Sequence, residues 1–116
     1  MCAFLDTGRS GTALLWTGSY ALPNGIELGT GSSTKTVSTT GLTTPALFKT
    51  FTSTDTTNAR VVTFQSDFTS VQMSGLSLKE FAVRVSGGTV WSADGFAAVV
   101  FDGTNELQVQ ISWEVF

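Results

Sequence analysis

At 116 residues and 41% hydrophobic side chains, the chain can bury about two-thirds of its unfolded surface around one core, so a single domain over residues 1–116 is expected. Charged residues make up only 13%, about half the roughly 25% of an ordinary soluble chain, so Ser and Thr must cover the surface, and interface cores show the same shortage of charge. The net charge is −3, with cations scattered at Arg9, Lys35, Lys49, Arg60, Lys79 and Arg84, which argues against direct nucleic-acid binding because a phosphate backbone calls for clustered cations.

Phe4 and Leu5 precede two glycines and read as a peripheral strand or an arm within residues 1–12. Residues 13–16 (Ala-Leu-Leu-Trp) are apolar on both parities and predict a strand covered on both faces, whereas Ile26-Glu27-Leu28 predicts a very short one. In residues 29–41, eight of thirteen side chains are Ser or Thr and Val37 is the only aliphatic one larger than a methyl. That segment reads either as a surface loop or as one that orders against a neighbouring subunit. Pro45 can open a helical turn through Ala46, Leu47 and Phe48, or precede a strand over residues 46–51.

The second half is more regular. Val62, Phe64 and Phe68 share one parity of residues 60–69 and predict a core-facing strand. Phe81, Val83 and Val85 alternate with Ala82 and Arg84, and Ser86-Gly87-Gly88-Thr89 then turns the chain into Val90-Trp91, a hairpin. Residues 97–101 form a short apolar run, Asp102-Gly103-Thr104-Asn105 has tight-turn chemistry, and Leu107, Val109, Ile111, Trp113 and Val115 alternate with polar residues; together these predict a C-terminal hairpin. No helical spacing persists for three turns. The expected class is all-β, a single antiparallel β-sandwich or jelly roll with little or no helix.

Machinery for chemistry is sparse. Histidine is absent, which removes the commonest general base together with Ser-His-Asp and Cys-His arrangements. The single cysteine, Cys2, excludes an intrachain disulfide and a cysteine-based zinc cluster. Asp6-Thr7-Gly8 is similar to the aspartic-protease signature, in which two such loops bring carboxylates together. Arg9 follows where a small residue is usual, however, and no second signature is visible, so an ordinary turn is the expectation. Residues 29–36 fail as a phosphate loop because Thr34 stands where the glycine before the lysine belongs. Asp55-Thr56-Thr57-Asn58, Asp94-Gly95 and residues 102–106 offer oxygen ligands that turns use far more often than calcium does. Trp113 sits on the apolar parity of its strand and Trp91 in an apolar hairpin arm, and both predict core packing. Only Trp16 and Tyr20 are left for a glycan-binding surface, while Phe116 ends the chain on the wet parity of its strand. The longest apolar run, residues 96–101, is far below the roughly 18 needed to span a bilayer. No secretory signal is visible, so folding in a cytoplasm is expected.

Residues 61–68 (Val-Val-Thr-Phe-Gln-Ser-Asp-Phe), 74–81 (Ser-Gly-Leu-Ser-Leu-Lys-Glu-Phe) and 101–116, with a weaker echo at residues 27–31, resemble small structural proteins of tailed bacteriophages. The resemblance implies a β-sandwich or jelly-roll subunit of the virion, folded in the host cytoplasm, with no catalysis, no cofactor and no bound metal. Its partners would be the major capsid protein or other virion proteins, with self-association and with neither nucleic acid nor membrane in direct contact. A capsid decoration protein that clamps the shell is the leading expectation; a tail or neck component, or a glycan-binding module of the tail tip, is the alternative. The residues expected to make assembly contacts are Phe4, Leu5, Thr30, Ser32, Ser33, Lys35, Val37 and Phe116.

Overall fold

The computed structural model describes residues 3–8, 22–58 and 60–114. Among them eight strands form: β1 (Ala3–Phe4), β2 (Gly25–Gly29), β3 (Pro45–Thr50), β4 (Ser53–Asn58), β5 (Val61–Phe68), β6 (Ser77–Arg84), β7 (Val90–Val100) and β8 (Leu107–Glu114), with one short helix, α1 (Ser70–Met73). Every pairing is antiparallel. The strands make a five-stranded sheet in the order β1-β7-β6-β2-β3 and a three-stranded sheet in the order β4-β5-β8. The all-β expectation therefore holds, with α1 and a helical turn at residues 6–8 as the helical content.

Period-two patterning places the core. In β8, Ile111 is buried and Leu107, Val109 and Trp113 half-buried, while the residues between them are exposed. β5 contributes Phe64 and Phe68, and eight consecutive register pairs, from Val61 opposite Glu114 to Phe68 opposite Leu107, zip it to β8. Ile26, Leu28, Leu78 and Val83 of the larger sheet join Phe68, Ile111, Met73 and Phe101 in one cluster, so the two sheets share a core. A hydroxyl also crosses between them, Ser66 Oγ donating to the carbonyls of Lys49 and Thr50 at 3.2 Å each. α1 opens with a capping box in which Thr69 and Gln72 exchange side-chain and backbone bonds, and it drops Met73 into that core.

The larger sheet is covered on its other face as well. Ala82 pairs with Ala93, and both join Leu5, Leu42 and Val90 in a second buried cluster. Successive side chains point to opposite faces of a strand, so Leu5 and the connection between β2 and β3 lie over the face that carries Glu27, Glu80 and Ala82. That double cover explains why all five residues of β2 are buried, although its sequence is too short to announce a central strand.

Several expectations are corrected. The C-terminal hairpin does not form: β7 pairs with β6 and β8 with β5, so residues 101–106 carry the chain from one sheet to the other. Their turn chemistry is as expected, with Asp102 Oδ1 accepting from Thr104 N at 2.9 Å and Thr104 Oγ1 at 2.6 Å and Gly103 at φ +93°. These bonds hold the Asp102 carboxyl below its ordinary value. Turn chemistry fixes a change of direction, not the partner. Phe101 stays fastened to the β6 side through Phe101 N to Leu76 O at 3.1 Å and Gly75 N to Phe101 O at 2.9 Å, and a local hairpin would break the eight-pair β5–β8 ladder. Asp55 and Asn58 lie in β4, and Asp94-Gly95 in β7, rather than in turns. Pro45 begins a strand on a sheet edge, where its missing N–H costs no ladder bond. The hairpin at residues 86–89 forms as predicted, with Val85 N to Thr89 O at 3.0 Å and Gly87 at φ +67°. The strand predicted at residues 13–16 lies outside the described residues.

Candidate functional site

The Ser/Thr-rich connection between β2 and β3 is tied to the sheet by one carboxylate. Glu80, on the covered face of β6, accepts from Lys35 Nζ at 2.6 Å, Gly31 N at 3.0 Å, and Thr43 N and Thr44 N at 2.9 Å each. The Lys35 and Glu80 side chains are 2% and 0% exposed. Burial pushes the Glu80 carboxyl up, but the Lys35 ammonium and the N–H groups of Thr44, Thr43 and Gly31 together outweigh it and hold the group below its ordinary value of 4.5. Lys35 also donates to Ser33 O at 3.0 Å and Thr43 Oγ1 at 3.2 Å, which closes the loop on itself.

Glycine makes the approach possible. A Cβ on Gly29 would sit 2.4 Å from Glu80 Oε2 and 2.6 Å from the Thr44 carbonyl, and one on Gly31 would sit 2.5 Å from Thr43 Cβ. A second carboxylate on this face, Glu27, is matched by Arg84 Nη1 at 3.0 and 3.2 Å, and Arg84 reaches on to the Gly88 carbonyl at 2.7 Å. Two of the six cations are thus spent on neutralising covered acids.

Beside the latched loop, β7 is irregular. Leu78 pairs with Val99 but Glu80 with Gly95, so β7 carries two extra residues opposite β6 and bulges at residues 96–98. Phe96 stands at this bulge, 37% exposed, its ring stacked on Phe81 at 6.2 Å. On one side of Phe96 opens a polar cleft of about 370 Å3 against Ser32, Ser33, Thr34 and Lys79. On the other lies an apolar groove of about 340 Å3 between the two sheets, bounded by Leu28, Leu78, Val99, Leu107 and Val109. β1 pairs only with Ser92 and Ala93, so from residue 95 to 100 the outer edge of β7 has no strand partner among the described residues. Val99 and Val100 are 45% and 74% exposed there.

The residues expected to make contacts do not form one site. Ser32 and Ser33 are exposed on the loop, and Val37 is exposed while its carbonyl accepts from Asp6 N at 2.8 Å. Thr30 is half-buried and bonded through its N–H to Thr44 O. Lys35 is turned inward, its ammonium bonded to Glu80, Ser33 O and Thr43 Oγ1. Leu5 is fully buried in the second cluster, and its N–H donates to Trp91 O at 2.9 Å; it is a core residue because its side chain fills the gap over Ala82 and Ala93. Phe4 belongs to β1 by its backbone pairing with Ser92. Phe116, like Trp16 and Tyr20, lies outside the described residues. Asp6-Thr7-Gly8 is a helical turn in which the Thr7 hydroxyl donates to Val90 O at 2.6 Å. Trp91 of the larger sheet, buried, and Trp113 of the smaller sheet, half-buried, stack at 6.2 Å between the two, in agreement with the predicted core packing.

No family model, curated protein or solved structure matches the chain. The sequence reading missed Glu80, whose only signal is an acid on a strand of core-facing residues, in register with Gly29. It also missed the open half of β7, because a run that is apolar on both parities looks like core.

Proposed function

We propose that this chain is a structural subunit of a bacteriophage particle, a capsid decoration protein that binds the shell of major capsid proteins and performs no reaction of its own. The observation that carries the reading is the edge of β7 over residues 95–100, which has no strand partner among the described residues. Residues 95–100 (Gly-Phe-Ala-Ala-Val-Val) contain no charge and no proline, two of the devices with which an edge strand ordinarily repels other chains; the bulge at residues 96–98 is the one it carries. Backbone groups without a strand partner among the described residues, beside an apolar groove, form a template for an extended segment of another protein, main-chain bonds giving affinity and the groove giving specificity. The low charge of the chain and its resemblance to phage structural proteins in the second half support the same reading. Repeated by shell symmetry, modest contacts of this kind act together.

The test is copy number in particles purified from the host that produces the chain. Hundreds of copies, comparable to the major capsid protein, are expected; a few dozen would place it in the tail or neck, and absence would overturn the reading. Val99→Lys with Val100→Lys is expected to leave the unfolding midpoint of the isolated protein within the spread of surface changes, about ±0.5 kcal/mol, while particle occupancy falls at least tenfold. Undiminished occupancy would remove β7 as the contact.

A further inference from the structure

The polar cleft beside Phe96 has a chemistry of its own, independent of any particle. One wall is Ser32, Ser33, Thr34 and Lys35, the other Lys79, Asp94, Gly95 and Phe96. The hydroxyls of Ser32, Ser33 and Thr34 and the ammonium of Lys79 make no hydrogen bond or ion pair among the described residues. They are presented on fixed supports, since Glu80 holds the loop through Gly31, Lys35, Thr43 and Thr44, while Gly95 is paired with Glu80 in the β6–β7 ladder and the Phe96 ring stacks on Phe81. A site built on locked elements loses little entropy when it is filled, and its volume of about 370 Å3 lies within the ~300–1,000 Å3 of small-molecule sites.

The lining selects the ligand class. Lys35 is neutralised by Glu80, which leaves Lys79 as the single unmatched ammonium of the lining, and one ammonium without a cluster of cations does not select an anion. Three hydroxyls and an ammonium ask for a partner rich in hydroxyl groups. The exposed Phe96 ring, steadied by Phe81, offers a negatively polarised face on which weakly positive C–H groups settle. A molecule with hydroxyls around its rim and C–H groups on its face is a sugar ring. We propose that this cleft binds a neutral saccharide, the C–H face of the ring against Phe96 and its hydroxyls on Ser32, Ser33, Thr34 and Lys79.

The full chain, isotopically labelled, is titrated with the methyl glycosides of glucose, galactose and N-acetylglucosamine and, separately, with inorganic phosphate, while amide shifts are followed by NMR. At least one glycoside is expected to give saturable shifts confined to residues 32–35, 79 and 94–96, with a dissociation constant on the order of 1–10 mM, the range of single-ring ligands with few contacts. Phosphate is expected to be inert. Phe96→Ala removes the stacking face, and Ser33→Trp, at an exposed position, fills the cleft; each is expected to weaken binding at least tenfold with a native spectrum elsewhere. Absence of shifts with all three glycosides, shifts mapping to another surface, unchanged affinity in both variants, or an equal response to phosphate would each overturn the assignment.

Discussion

Glu80→Gln is expected to lower the free energy of unfolding by about 3–5 kcal/mol, the cost of leaving one member of a buried ion pair unmatched. Glutamine keeps the shape of the side chain but places an amide NH2 where an acceptor stood. The Lys35 ammonium, 2% exposed, and three backbone N–H groups then face one remaining oxygen. Lys35→Met is expected to cost less, because three backbone donors alone still support the carboxylate. The denaturant midpoint measures both, and hydrogen exchange locates them. Amides of Gly31, Thr43 and Thr44 are expected to lose protection while the β5–β8 ladder keeps its own. A midpoint unchanged by Glu80→Gln would show that the loop is held by something else.

The same carboxylate sets an acid limit. Its folded value lies below 4.5, so the unfolded chain takes up the proton first and protonation favours unfolding. The stabilisation is fully present above the unfolded value, and it is lost as pH falls through the lower folded one. Stability of the native chain is therefore expected to decline below about pH 4.5, and the profile of Glu80→Gln to be flatter over that window. Asp102, exposed and also held low by Thr104, remains in both proteins and does not account for the difference.

Where residues alternate strictly, sequence and structure agree. The parity of Phe64 and Phe68 and of Leu107 to Trp113 follows from a sheet with one wet face, and residues 86–89 turn as their glycines dictate. Partner choice was not legible. Asp102-Gly103 states that the chain turns, whereas the match between β5 and β8, about forty residues apart, is a property of the whole fold. The second covered face of the larger sheet was equally hidden. Among the described residues its coat consists of Leu5, Leu42 and a Ser/Thr segment without an apolar stripe, tied down by Glu80. A segment poor in hydrophobic residues reads as unable to order itself, and here four hydrogen bonds to one buried acid supply what its side chains do not.

Leu5 separates the two ways of reading the N-terminal residues. Leu5→Ala is expected to destabilise the isolated protein by about 2–5 kcal/mol, the range for a leucine truncated in a core that relaxes only in part. The side chain is 0% exposed and packs with Leu42, Ala82, Val90 and Ala93, and its loss opens a void between the loop and the sheet. Val37→Ala, at a position 47% exposed, is the matched control and is expected to stay within about ±0.5 kcal/mol. A side chain reserved for a neighbouring subunit would behave in the opposite way, silent in the isolated chain and costly only on the particle. The urea midpoint of the monomer decides between them without a particle in hand. The expected loss also means that deleting the N-terminal residues would reduce particle binding by weakening the fold, so the contact surface on β7 has to be tested by changes at Val99 and Val100, which leave Leu5 and the latched loop in place.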